Sequence, residues 1–439
     1  MNQSLEAWLA DSPYHSYLYA YPHKTAYRPL DPPISLQSIW ADEQRDALFL
    51  YIHIPFCEMR CGFCNLFTAA RPKAEFVEAY LATLTRQCQR VRAALCQARF
   101  ARLAIGGGTP TLLDVAGLTA VLDLAELTMG ADLQRIPASV EVSPETITAE
   151  KLRLLRQRGV DRISIGVQSF IEAEALAINR PQRTAEVEAT LDALREAGFP
   201  TLNIDLMYGL PEQTVATFRT SLEAALRWRP EELYLYPLYV RPLTTLGRHG
   251  REWDDQRLEL YRAACEMLGA AGYTQSSMRM FRASHAPSDD GPVYCVQTDG
   301  MVGLGCVARS YTSGLHYASE YAVGARGVRE ILGAWVARTD AAFDVADYGL
   351  RVDLDDQRRR FVALSLLAEG IDLGAYRRRF GSDAMADLPQ LSGLEPLGLA
   401  TRREDRLTLT SMGLERSDAI GPWLRSDRVR ALMQGSALR

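Results

Sequence analysis

The chain lacks any run of about 18 consecutive apolar residues, which excludes a candidate membrane-spanning helix. Its opening residues, MNQSLEAWLADS, also lack the basic and apolar regions of a secretory signal. A cytoplasmic location with no membrane partner is therefore expected. Cysteine is scarce, with 8 in 439 residues, too few for a disulfide scaffold in a chain of this length. Histidine is scarcer still at 6, and no His-x3-His pair or second Cys-x2-Cys pair is present to build a zinc finger from two short pairs. Charge of one sign is missing too: 49 Lys and Arg against 54 Asp and Glu leave a net −5, which gives no reason to expect nucleic acid as a partner. The basic runs Arg358-Arg359-Arg360 and Arg377-Arg378-Arg379 lie in helical patterns beside acids and are read as solvated faces. Cys88, Cys96 and Cys265 fall within helical patterns and are read as small buried hydrophobes.

What remains of the cysteines is concentrated. Cys57-x3-Cys61-x2-Cys64 follows directly on the apolar run LFLYIHIPF. Three clustered thiolates can hold an iron–sulfur cluster, and because cubane clusters usually take four cysteines, a set of three leaves one iron open to another molecule. A tetrahedral zinc site is the alternative, with His53 as a fourth ligand; alternation along residues 49–54 makes His53 a wall residue instead.

Apolar strand-like runs then alternate with amphipathic helical segments, a pattern that predicts parallel strands with crossover helices. Strands are expected at 48–54, 102–105, 139–142, 162–167, 202–207 and 232–237, and helices near 74–97, 115–127, 149–158, 185–196 and 214–227. Six units fall short of the eight that close a full barrel. The expected fold class is α/β, an open partial (βα)6 TIM-type barrel over residues 48–340. An irregular aromatic extension precedes it at 1–47, and a small accessory domain of short helices and a hairpin-like alternation follows at 341–439.

The segment Tyr51-Ile-His-Ile-Pro-Phe-Cys57-Glu-Met-Arg-Cys61-Gly-Phe-Cys64 resembles the cluster loop of the radical S-adenosylmethionine (SAM) superfamily, and more narrowly its oxygen-independent coproporphyrinogen III oxidase-like (HemN-like) branch. The resemblance implies a [4Fe-4S] cluster on Cys57, Cys61 and Cys64 whose open iron is chelated by SAM, with reductive cleavage to methionine and a 5′-deoxyadenosyl radical. Gly106-Gly107-Gly108-Thr109-Pro110-Thr111 resembles the family's loop whose backbone faces the methionine amino group. Phe63 matches the position whose backbone approaches the adenine. By the same resemblance Glu141, Gln168 and Asp205 are directed at the nucleoside or the cationic amino group, and Arg180 at the methionine carboxylate. Tyr51 is counted with both the SAM pocket and the reacting centre. The C-terminal stretch is similar to the family's winged-helix-like domain, read as a lid or docking surface.

The sequence departs from these relatives in places. Leu66 stands where coproporphyrinogen oxidases carry a further cysteine two residues after the third ligand, and Tyr294-Cys295-Val-Gln-Thr-Asp299-Gly300 stands where heme-chaperone relatives carry His-Asn-x-x-Tyr-Trp. Cys306, in the glycine-rich stretch Gly303 to Tyr311, is a candidate hydrogen-atom donor, with a small core residue as the alternative. The aromatic N-terminal segment is expected to cover the barrel opening with Tyr21, His23 and Lys24 facing substrate, or else to strap the outside. Arg241, Arg279, Arg282 and Arg309 are candidates for holding substrate carboxylates. The expected activity is that of a radical SAM oxidoreductase that abstracts hydrogen from a small-molecule or peptide substrate, with electrons from a flavodoxin-type donor and one or two molecules of SAM. Methyl or methylene transfer, peptide modification and heme delivery by a chaperone are the alternatives.

Overall fold

Strand β1, Leu48–Ile54, shows the rule that organises the sheet: Leu48, Leu50, Ile52 and Ile54 are fully buried, while Phe49, Tyr51 and His53 alternate onto the opposite face. In a computed structural model, which describes residues 4–250, 253–288 and 291–436, five more strands follow it in parallel. They are β2 (Phe100–Gly107), β3 (Ala138–Val142), β4 (Arg162–Gln168), β5 (Thr201–Tyr208) and β6 (Glu232–Pro237). They lie side by side in that order. Each falls within a residue or two of its sequence expectation. So do the crossover helices, except that 115–127 is an α-helix over Val115–Asp123 continued by a π turn over Leu124–Thr128.

One face of the sheet packs its leucines, isoleucines and valines against the helices in the main core. The other carries Glu141, Arg162, Ser164, Asn203 and Asp205, joined by polar contacts. Arg162 Nε bonds Glu232 Oε2 at 2.7 Å, and Asn203 Nδ2 donates to both Ser164 Oγ and Asp205 Oδ1 at 2.7 Å. A closed TIM barrel fills its interior with layers of branched apolar side chains. This inner face is polar, as an open barrel that encloses a ligand space requires.

The sheet is longer than six strands. Met301–Leu304 adds in parallel beside β1, and the sheet continues antiparallel through Ser310–Tyr311, Leu315–Tyr317, Val345–Arg351 and Arg28–Ser35; a hairpin of Tyr273–Gln275 and Met280–Ala283 extends the β6 edge. The Arg28–Ser35 strand was not foreseen because RPLDPPIS holds three prolines, and such a segment is tolerated only at an edge, where it sits. The expected irregular start also contains a helix, Leu5–Asp11, capped by Ser4.

A second core is built by the C-terminal residues around Phe361, Tyr376, Leu391, Leu407 and Ile420, and the N-terminal Leu5, Leu18, Tyr21, Ala26 and Tyr27 belong to it. Tyr21 is therefore corrected from a substrate-facing residue to a structural one: its hydroxyl donates to Asp356 Oδ1 at 2.9 Å and accepts from Ser426 N at 3.2 Å. Arg360 is corrected as well, being 5% exposed inside the protein, while Arg377, Arg378 and Arg379 lie on the surface as expected. Cys88 is buried, Cys265 half-buried, and Cys96 exposed at the helix end it caps. No helix among the described residues is long and apolar enough to cross a membrane.

Asp418 ties the parts together. Its backbone carbonyl accepts from His15 N and Ser16 N, and its carboxylate, 1% exposed, takes Tyr239 Oη and pairs with the buried Arg279. Removing one partner of a buried pair strands the other charge. Asp418→Ala should cost about 3–5 kcal/mol of stability in urea unfolding, and should speed proteolysis of the N-terminal segment. A loss below about 1 kcal/mol would show that Arg279 finds another partner.

Candidate active site

The three cysteines sit on a loop pinned at its base. Phe56–Cys57 pairs with Ala69–Ala70, and Arg71 N closes onto Cys57 O at 2.9 Å. In mid-loop, Gly62 N donates to Ile178 O at 2.8 Å while its carbonyl accepts from Leu246 N at 3.0 Å. Polar groups meet the thiols: Thr109 Oγ1 donates to Cys57 Sγ at 3.7 Å and Arg180 Nη1 to Cys61 Sγ at 3.3 Å, and Thr68 Oγ1 lies 3.9 Å from Cys64 Sγ. The Leu66 side chain, just past Cys64, is exposed. Burial, followed by the neighbouring Cys64, pushes the Cys57 thiol up to about 12, and burial and Cys61 raise Cys64.

This donor set fits an iron–sulfur cluster: three thiols in electrostatic contact, partly exposed, with N–H and O–H groups aimed at sulfur. A tetrahedral zinc site would need a fourth ligand beside the three cysteines. His53 does not complete one. Its ring binds Tyr51 Oη at 3.0 Å and Phe67 O at 3.3 Å, as a wall residue does.

The glycine loop after β2 lies against these groups. Gly107 has φ +113°, and a Cβ there would fall 2.3 Å from the His53 ring; one at Gly108 would fall 2.5 Å from Phe56 O. Gly107 N donates to Glu141 Oε2 at 2.9 Å. Glu141 lies deep in the protein yet keeps accessible surface, because it faces the space enclosed by the strands. Burial raises its pKa against the pull of Gly107 N–H and Arg162, and burial likewise lifts Asp205 to about 7. Gln168 ends β4 with φ +70° at a register shift, a conformation unusual for a residue with a Cβ. Arg180 is held by Gly166 O at 2.6 Å and Gln182 Oε1 at 3.1 Å, so one guanidinium spans the end of β4 and the cysteine loop. Phe63 packs against the apolar group of Ile178, Met207 and Leu246.

The structure thus brings Cys57, Cys61, Cys64, Tyr51, Gly107, Gly108, Thr109, Glu141, Gln168, Arg180 and Asp205 to one rim and its enclosed space. Cys306 does not join them. It is fully buried, its N–H donates to Tyr80 Oη at 3.1 Å, and its thiol neighbours Ser319 and Arg338, on the helix side of the sheet. It is a core residue because the turn at Gly305, φ +98°, just past the strand Met301–Leu304, carries the chain toward the helix side, a direction its local sequence does not reveal.

The N-terminal segment crosses the opening, through side chains only partly anticipated. Lys24 Nζ lies 3.2 Å over the Tyr321 ring and senses Cys64, Tyr17 covers Arg279 at 3.6 Å and senses Asp205, and Tyr19 covers Arg309 at 4.8 Å. His23 caps the turn Lys24–Ala26 and contacts Tyr19. Arg282 is corrected: it pairs by strand register with Glu232, at the far end of β6. Tyr17, Arg162 and Asn203 were missed, although the alternation in RISIGVQ and LNIDLMY places the latter two inward.

The model of the Radical SAM superfamily matches residues 51–225, and that of the HemN C-terminal domain matches residues 352–415. The heme chaperone HemW of Bacillus subtilis is 31% identical over 270 residues, covering 60% of this chain and 71% of that protein. An oxygen-independent coproporphyrinogen III oxidase of Bradyrhizobium diazoefficiens is 27% identical over 387 residues, covering 82% and 83%. The structure of coproporphyrinogen III oxidase (HemN) from Escherichia coli superposes with a TM-score of 0.77 at 24% identity, over 93% of this chain and 96% of that one, which establishes a shared fold.

The raised Asp205 carboxyl gives a measurable signature. The folded protein keeps this proton to higher pH than the unfolded chain, so the group favours folding fully below its ordinary value of 3.8 and loses that contribution as pH rises through about 7. Relative to Asp205→Asn, the SAM-free protein should lose roughly 2–4 kcal/mol of stability between about pH 4 and about pH 7. Urea unfolding across that range checks it, and a flat difference would count against the shift.

Proposed function

The chain belongs to the radical SAM superfamily, in its oxygen-independent coproporphyrinogen III oxidase-like branch, and from that premise we propose that it abstracts hydrogen from a carboxylate-bearing small molecule, with oxidative decarboxylation of a tetrapyrrole side chain as the reaction best supported. The observation that carries this reading is the charge around the enclosed space. The carboxylates Glu141 and Asp205 face it from β3 and β5, while Lys24, within electrostatic reach of both Cys64 and Arg309, brings cations of the N-terminal cover and the added strands to the same space. When bound, the [4Fe-4S] cluster and SAM supply reductive C–S cleavage and with it a hydrogen-abstracting radical.

The chain's own residues hold and orient these groups. Cys57, Cys61 and Cys64 ligate the cluster. Arg180, fixed beside Cys61, offers a fork to the methionine carboxylate. The Glu141 carboxylate, held by Gly107 N–H, and the backbone at Gly107 and Gly108 would receive the amino group, Gln168 and Asp205 the nucleoside, and the backbone at Phe63 the adenine. Tyr51, hydrogen-bonded to His53, walls the space beside Glu141. The tyrosines of the N-terminal segment exclude water, which strengthens every charge interaction inside.

Two relatives' features keep a second reading in view. The similarity to a heme chaperone favours cofactor delivery, while the absence of His-Asn-x-x-Tyr-Trp from this chain argues against it. Leu66 in place of a further cysteine leaves room for one-carbon transfer with a second SAM.

Anaerobic reconstitution with iron and sulfide, followed by incubation with SAM, a reductant standing in for a flavodoxin-type donor, and coproporphyrinogen III, tests the proposal. We expect 5′-deoxyadenosine and a product lighter by CO2 and two hydrogens for each side chain converted, one hydrogen atom passing to the adenosyl radical, a proton to solvent and an electron to an added electron acceptor. Cys57→Ala should lower 5′-deoxyadenosine on the order of a hundredfold or more, since even outer-shell changes at metal sites cost 10- to 100-fold. A product heavier by one carbon would replace decarboxylation with transfer, and tight heme binding without SAM turnover would replace both.

A further inference from the structure

Beside the SAM-facing rim, a cluster of buried polar groups has no partner. The hydroxyls of Tyr27, Tyr294 and Tyr311, Nη1 of Arg309, and both ring nitrogens of His316 are buried without a hydrogen bond. Arg360 completes the group. Tyr27, Tyr311, His316 and Arg360 are at most 6% exposed. They belong to one site: Arg309 and Arg360 lie 5.6 and 5.5 Å from the Tyr311 ring, the Tyr311 and His316 rings meet at 4.4 Å with their planes tilted by 41°, and Tyr27 and Tyr294 both sense Arg360.

The charge here is one-sided. Among the described residues no carboxylate lies within ion-pair distance of Arg309 or Arg360. Arg360 Nη2 reaches only the carbonyls of Val296 at 2.8 Å and Asp299 at 3.5 Å, and the Asp299 carboxylate is turned to Cys295 N and Thr298 Oγ1. Desolvating two guanidiniums without a counter-charge is strongly unfavourable, and buried donors are ordinarily satisfied. A folded protein that keeps such a group has a reason to present it.

We propose that Arg309 and Arg360, with Tyr311, Tyr27, Tyr294 and His316, form a buried anion site that takes a carboxylate of the ligand in the barrel. Arg309 connects the site to the reacting space, because it also underlies Tyr19 and lies near Tyr51. Planar guanidiniums present paired N–H groups that match a carboxylate. The tyrosine rings around them suit a carboxylate borne on an apolar or conjugated body better than a free inorganic anion. Assigning the carboxylate to the substrate rests on the function proposed above; the anion site does not.

The test uses the full-length protein with its cluster reconstituted, titrated with coproporphyrin III and with its tetramethyl ester. The acid should bind more tightly than the ester. Arg309→Gln should weaken the acid about tenfold or more and leave the ester unchanged, and Arg309→Lys should restore part of the loss. The ligand-free unfolding midpoint of Arg309→Gln should stay level or rise, because an uncompensated buried charge has been removed; a purely structural arginine would lower it. Equal binding of acid and ester, an unchanged acid affinity in Arg309→Gln, or a lowered midpoint would overturn the site. If neither porphyrin binds the wild type, propionate and inorganic phosphate decide by thermal shift. Stabilisation by propionate that is lost in Arg309→Gln keeps the anion site and removes the tetrapyrrole reading. A shift with phosphate alone, or with neither anion, overturns the proposal and leaves a water-filled pocket.

Discussion

Everything in this molecule depends on six parallel strands having two unlike faces. The outward residues of β1 to β6 must be apolar because helices cover them, and the main core is built almost wholly from that face. The inward residues must be polar because they border a space rather than a packed centre, and charges such as Glu141, Arg162 and Asp205 are tolerable there only with nearby partners. Those partners are present as Glu232 for Arg162 and as Asn203 for Asp205. The sheet cannot close without destroying that space, and it cannot stay open without a cover. The N-terminal segment and the C-terminal core, joined through Asp418, answer the second demand.

The cysteine loop is a consequence of the same geometry. It begins where β1 ends, so its thiols arrive at the rim shared by the glycine loop after β2 and by Glu141 on β3. Gly107 and Gly108 permit this approach, since a side chain at either would strike His53 or the Phe56 carbonyl. Arg180 then links the loop to β4 through Gly166. A change at any of these contacts moves the cysteines relative to the carboxylates, and so acts on the chemistry from a distance.

Local pattern made this arrangement legible where one period decides the outcome. The alternation in LFLYIHI fixed both the strand and the wall position of His53, and the spacing of Cys57, Cys61 and Cys64 fixed the loop. Long-range partners decided what pattern could not. RPLDPPIS becomes a strand only because Val345–Arg351 offers an edge to it. Arg360 sits in a basic helical run that reads as solvated, and tertiary packing buries it beside Tyr311. Cys306 lies one turn from a strand that borders the site, and the turn carries it to the opposite layer. Tyr21 was placed by aromatic content in the right segment but on the wrong side of it, because its partner Asp356 lies 335 residues away.

The enclosed space is polarised. Glu141 and Asp205 face it from β3 and β5, and Lys24 and Arg309 face it from the cover and the added strands, with Tyr51 between Glu141 and Arg309. SAM carries a sulfonium and an ammonium, which suit the carboxylates; under the function proposed above, the cations would take an anionic substrate. In a site of low dielectric such a field orients both ligands without further contacts. It also bears on protonation: a cation beside Glu141 and Asp205 favours their charged forms, so binding there would lower the very pKa values that burial has raised. Cofactor and protein would then stabilise each other, and the cost of holding two carboxylates inside the barrel would be offset when the space is filled.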